Sequence, residues 1–90
     1  MSKVMLQVNV AYPDQFIERF TRQAVERQDA GEIRYWDGGE VEEQNRVYVI
    51  MDWKSAESAR DFWTSDTGRA HIVEWRSLNT EFTLLDGKTH

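Results

Sequence analysis

The chain has no cysteine. That excludes disulfides and thiolate metal sites, two routes by which small domains gain stability. Basic residues are scarce: eleven Lys and Arg stand against sixteen Asp and Glu, a net charge of -5. Nucleic acid and anionic lipid both need clustered Lys and Arg, so both partner classes are excluded. No apolar run approaches the length of a membrane span. The opening residues, MSKVMLQVNV, lack the apolar segment of a secretory signal, and a cytoplasmic protein is expected. No internal repeat, low-complexity segment or linker interrupts the chain, and one domain over residues 1–90 is expected. There is no glycine-rich phosphate loop, no His–Cys metal set and no Ser-His-Asp arrangement. The acidic stretch DGGEVEEQN lacks the spacing of a calcium loop and reads as a solvated hairpin loop.

What is present is aromatic. Four tryptophans in 90 residues is a high density. Such large rings belong in a core, an interface or a pocket. A chain of this length buries a modest core and is marginal alone, so oligomerisation is the remaining route to further burial.

Periodicity sets the elements. KVMLQVNV alternates, with Val4, Leu6, Val8 and Val10 on one face. Pro13 suits the first turn of a helix, with Asp14 favourable beside its positive end. Phe16, Ile17, Phe20 and Ala24 then keep helical spacing, Val25 widens the stripe, and Gly31 is a stop. EIRYWDGG reads as a short second strand with Ile33 and Tyr35 on one face, ended by Asp37-Gly38-Gly39. RVYVIMDW is the clearest strand: Val47, Val49, Met51 and Trp53 share a face, opposite Tyr48, Ile50 and Asp52. Ser55 is a good N-cap for a helix whose stripe is Ala56, Ala59, Phe62 and Trp63. SDTG interrupts that helix, Ser65 or Asp66 caps a further piece, and EFTLLD is the last strand.

The order is βαββαβ. It predicts an α+β, ferredoxin-like domain: an antiparallel four-stranded sheet with helices on one face. The helices cover one side only. The other still offers Met5, Tyr48 and Ile50, more apolar than a solvated sheet face. The cheapest cover is a second copy of the chain, so a homodimer is expected.

RVYVIMDWKSAESARDFWTSDTGRAHI, with VNVAYPDQFIERFTRQ before it, resembles the antibiotic biosynthesis monooxygenase-like family of dimeric α+β barrel proteins. A third strand ending in tryptophan, a Ser-x-Glu helix start, an aromatic and a serine-acid break carry the resemblance, which spans nearly the whole chain. It implies a homodimer whose two sheets face each other around a cavity for a planar, hydrophobic molecule. The superfamily holds cofactorless quinone-forming oxygenases, heme-degrading enzymes, isomerases and cyclases.

Within that frame Asn9, Arg34 and Trp36 are the candidate catalytic residues. The Asn9 amide offers a donor to a carbonyl or developing oxyanion, and its alternative is a bond to local backbone. Arg34 can orient an anion, and Trp36 and Tyr48 can line the cavity; the alternative for all three is sheet packing. Asp52, on a mostly apolar strand, reads as a general base with a raised pKa, or as a strand-end group bonding the next loop or helix. Trp63 and His71 complete the ligand-binding candidates. In heme-degrading members a first-strand asparagine works with a helical tryptophan and an iron-binding histidine, and Asn9, Trp63 and His71 echo that set. Phe62 is the better match to that tryptophan, and one residue turns a helical side chain by about 100°. A partly exposed histidine without a role is the other reading of His71.

The resemblance thus implies a cofactor-independent monooxygenase that takes a small aromatic or polyketide-like molecule and dioxygen, with no bound metal or flavin. The alternatives are a non-catalytic dimer binding a small hydrophobic ligand, and a heme-binding or heme-degrading protein.

Overall fold

Strand β1 (Ser2–Asn9) carries the alternation through to burial. Val4, Leu6 and Val8 are buried, while Lys3, Met5, Gln7 and Asn9 are partly open. The computed structural model describes residues 1–40 and 45–85. After β1 come α1 (Pro13–Arg22), α2 (Ala24–Ala30), β2 (Glu32–Glu40), β3 (Arg46–Trp53), α3 (Ala56–Thr64), α4 (Asp66–Trp75) and β4 (Asn79–Leu84). The strands form one sheet in the order β2-β3-β1-β4, every neighbouring pair antiparallel. This is the expected ferredoxin-like α+β order, with each helical segment in two pieces. No helix among the described residues is long and apolar enough to cross a membrane.

The core lies between the sheet and the four helices. Leu6, Val8, Val49, Met51 and Trp53 are fully buried from the strands, and Phe16, Phe20, Phe62, Trp63 and Trp75 meet them from above. Three of the four tryptophans are here; only Trp36 is exposed. Their rings meet edge-on or tilted, as Phe16 and Trp75 do at 5.3 Å. That arrangement adds about 0.5–1.5 kcal/mol per pair beyond the area buried.

The first helical segment departs from the expected single helix. It breaks at Gln23, whose N–H reaches back to the Arg19 and Phe20 carbonyls. The Gln23 side chain is captured: its Oε1 accepts from the Trp75 indole at 2.8 Å and its Nε2 donates to Glu74 at 2.6 Å. The break turns Val25 outward, 66% exposed, and swings Arg27 into the core instead. Strand β2 also differs. It bulges between Glu32 and Arg34, which buries Glu32 and leaves Ile33 open. It then continues through Asp37-Gly38-Gly39 to Glu40, with a second irregularity there replacing the expected turn. Residues 41–44 of the acidic loop lie outside the described residues.

The second segment is as the sequence suggests. Ser55 caps α3 and makes a reciprocal capping box with Ser58. Ser65 ends α3 and caps α4 through Gly68 N–H. Gly68 is required there: a Cβ would lie 2.1 Å from the Phe62 carbonyl oxygen.

Candidate active site

The sheet has two faces, and the candidates divide between them. On the open face the cross-strand register builds rows. Arg34, Asp52 and Lys3 form one; Trp36, Ile50, Met5 and Thr83 the next; Arg46, Asn9 and Asn79 the last.

The first row is an ion cluster. Asp52 Oδ1 accepts from Lys3 Nζ at 2.9 Å and Oδ2 from Arg34 Nε at 2.8 Å. Its side chain is 2% exposed. The Lys3 hydrogen bond, with the charges of Lys3 and Arg34, outweighs burial and holds the Asp52 carboxyl below its ordinary pKa. That is opposite to the shift expected of a general base, and Asp52 neither caps α3 nor bonds its loop. Lys3 was the missed partner. Its signal was available: β1 and β3 run antiparallel with the same alternation, which sets Lys3 opposite Asp52. The Lys3 ammonium also lies 4.8 Å from the Trp36 ring centre, a cation–π contact.

Asn9 does not join this cluster. It stands six residues along β1 from Lys3, about 20 Å at strand rise. Its backbone oxygen accepts from Leu78 N–H at 2.7 Å. One small molecule therefore cannot touch Asn9 and Arg34 of the same protomer. Tyr48 lies between, on the half-buried middle of β3.

Trp63 lies on the other side of the sheet. Its ring packs on Phe62, Trp75 and Phe82 at 4.8, 5.7 and 4.7 Å. It also forms a wall of a groove of about 360 Å³ between α3 and the edge made by β1 and β4. Val4, Ala56, Ala59, Phe82 and Leu84 supply apolar surface, and Arg60 is the charged side chain on the rim. Small side chains at 56 and 59, one turn apart on α3, leave the space open. The Trp63 indole N–H is buried without a hydrogen-bond partner. A buried donor left unmade is costly, and this N–H is closed off from solvent, so it is the ring of Trp63 that the groove presents. The sequence placed Trp63, Ala56 and Ala59 on one stripe but showed no groove, because Phe82 and Leu84 arrive from a strand twenty residues later.

His71 is buried rather than partly exposed. It packs against Phe62 at 5.5 Å. Its Nε2 lies 3.8 Å from Glu26 Oε1, and Nδ1 has no hydrogen-bond partner. Burial lowers its pKa most; Glu26 and Glu74 raise it and Arg27 lowers it further. It does not line the Trp63 groove.

No protein-family model matches the chain, and no curated protein matches it by sequence. Solved structures do match in shape. SnoaB from Streptomyces nogalater, a cofactor-independent oxygenase, superposes with a TM-score of 0.75 at 19% identity, over 99% of this chain and 93% of that one. A structure described as antibiotic biosynthesis monooxygenase superposes at 0.73 and 10% identity, covering 99% and 100%. The fold is that of the antibiotic biosynthesis monooxygenases. A conserved protein from Methanosarcina mazei shares it at 0.73 and 20% identity, over 97% and 92%.

The echoed heme set does not fit this chain. Asn9 is on the open face, Trp63 on the helix side, and His71 lies against Phe62 and Glu26 outside the groove. The groove therefore has no histidine to offer an iron. Among the described residues no group of three His, Cys, Asp or Glu is placed to hold a metal ion.

Proposed function

We propose that this protein is a cofactor-independent monooxygenase that binds a small aromatic or polyketide-like molecule in the Trp63 groove. The observation that carries the reading is an apolar groove of about 360 Å³ walled by Trp63 and Phe82, with the cationic Arg60 at its rim. A planar molecule fits the Phe82 and Trp63 surface, with its carbonyl or phenolate oxygen toward Arg60 at the rim. Arg60 at the rim favours the deprotonated form by charge. The fold shared with a cofactor-independent oxygenase supports the same reaction class.

The chemistry belongs to the substrate. A deprotonated anthrone-type molecule donates an electron to dioxygen, and the two radicals join as a peroxide. The O–O bond then breaks, one oxygen stays as the new quinone carbonyl, and the other leaves as water with the two methylene hydrogens. The substrate carbon supplies all four electrons, so no external reductant is needed. The chain's part is to hold the anion away from water and stabilise its oxygen.

In this reading the open face is the contact of a cytoplasmic homodimer. Met5, Trp36, Tyr48 and Ile50 give it apolar surface, and the Lys3–Asp52–Arg34 cluster and Asn9 mark its two ends. The reading predicts oxygen uptake and quinone absorbance with anthrone, and a dimer by analytical ultracentrifugation. Binding of anthrone without oxygen uptake above the buffer rate would favour the second reading, a non-catalytic dimer that binds a hydrophobic molecule in the same groove. Absence of binding would sink both.

A further inference from the structure

A second cavity lies at the opposite end of β1 from the Trp63 groove. It encloses about 220 Å³ between the start of α1 and the end of α4. That is below the range of drug-sized pockets and suits a ligand of one ring or less. Val10 and Trp75, each 2% exposed, form an apolar floor. Tyr12, Gln15, Arg19 and Arg76 form the walls.

The walls carry two guanidinium groups and no carboxylate, in a chain of net charge -5. Neither Arg19 nor Arg76 has an ion-pair partner among the described residues, so both charges are open to an anion. Gln15 and Arg19 lie one turn apart on α1, so an amide and a guanidinium share a face. The positive end of α1 opens at Tyr12, which makes no side-chain cap.

Arg76 supplies an independent observation. It closes α4 with φ 55° and ψ 42°, in the left-handed region. Glycine or asparagine is the common choice at such a cap. An arginine held there is strained, and strain of this kind concentrates at sites that use the side chain.

We propose that this cavity is a binding site for a small aromatic carboxylate. Arg19 and Arg76 hold the carboxylate from two sides, and the ring lies on Trp75 beneath Tyr12. Guanidinium forks match a carboxylate's two oxygens, and an apolar floor rejects a fully hydrated anion.

The test is a titration of the full chain with benzoate, benzamide and inorganic phosphate, followed by amide and indole cross-peaks in NMR. Benzoate is expected to saturate at about millimolar concentration, shifting the Trp75 indole and leaving the Trp63 indole unmoved. Benzamide and phosphate are expected to bind at least about tenfold more weakly. Arg76→Gly relieves the left-handed backbone, so it folds, yet it should weaken benzoate about tenfold or more. Arg19→Gln should do the same. Arg76→Lys separates the roles: a helix-end charge is kept, so a merely structural arginine would be replaced without loss. The proposal is overturned if benzoate does not saturate, if phosphate matches it, or if Arg76→Gly or Arg76→Lys binds as the parent does. None of these readouts needs turnover, so failure here is separable from failure of the oxygenase reading.

Discussion

Arg27 Nε donates to Glu32 Oε2 at 2.9 Å with both side chains wholly buried. The guanidinium also donates to the Phe20 carbonyl at 2.7 Å and stacks 3.7 Å from the Phe20 ring centre. Burial pushes Arg27 below and Glu32 above the ordinary pKa, and each partner partly reverses the other's shift. One oxygen of Glu32 and Nη2 of Arg27 remain without hydrogen bonds. A buried pair so incompletely satisfied is a specificity device more than a source of stability. Arg27→Met or Glu32→Leu alone should cost about 3–5 kcal/mol, since the other partner is left stranded. The double change Arg27→Met with Glu32→Leu should recover most of it. Urea unfolding of the four proteins measures the coupling, and additive losses would contradict the argument.

Much of the fold is legible from periodicity because both main strands are half-covered. Val4, Leu6 and Val8 alternate, and so do Val47, Val49 and Met51, because helices bury one sheet face only. The caps at Ser55 and Ser65 are local chemistry and equally readable. What failed was set by long-range partners. The break at Gln23 depends on Trp75 and Glu74, fifty residues away in sequence, so no local window shows it. The burial of Arg27 follows from that break and from the β2 bulge that turns Glu32 inward. The candidate site divides in the same way. Trp63 was recognisable as a large ring on a buried stripe, but the groove needs Phe82 and Leu84 from β4. Asn9 and Arg34 looked like one constellation because both sit on strand faces, and the register sets them at opposite ends of the sheet.

His71 makes stability depend on pH. Its folded pKa is below the ordinary 6.5, with burial the leading cause. The unfolded chain therefore binds the proton more tightly, and this stability is present above about 6.5 and lost as pH falls through the folded value. Glu26 and Glu74 face the ring and oppose the loss, while Arg27 adds to it. Unfolding free energy should decline between pH 7.5 and mildly acidic pH, before carboxylates titrate. His71→Gln should flatten that decline, and Glu26→Gln should steepen it. A parent protein with no slope in this window would refute the assignment.

Gly68 separates two effects of opposite sign. It lies inside α4, where helix propensity alone favours alanine by about 1 kcal/mol. Its missing side chain admits the α3 backbone: an added Cβ would sit 2.1 Å from the Phe62 carbonyl oxygen and 2.9 Å from Trp63 Cα. Backbone cannot yield as a flexible side chain does, so α4 must move off α3. Gly68→Ala should destabilise by about 2–3 kcal/mol, the upper range for overpacking. Thermal unfolding measures it, and an unchanged or raised melting temperature would show that the two helices slide freely.

The groove itself is tested by filling it and by removing the cation at its rim. Ala56 is half-buried at the first turn of α3 and lines the space, so a larger side chain enters the groove rather than the core. Ala56→Leu keeps a good helix former and should change stability by under about 1 kcal/mol. It should weaken binding of an anthrone-type ligand about tenfold or more, read by quenching of tryptophan fluorescence. Arg60→Gln keeps a good helix former and deletes the rim cation. An exposed charge pair is worth about 0.2–1 kcal/mol, so affinity should fall up to about fivefold for the phenolate. For a hydrocarbon of the same shape, with no oxygen to attract, it should hardly change. Equal losses for both ligands would mean that Arg60 serves as a wall alone.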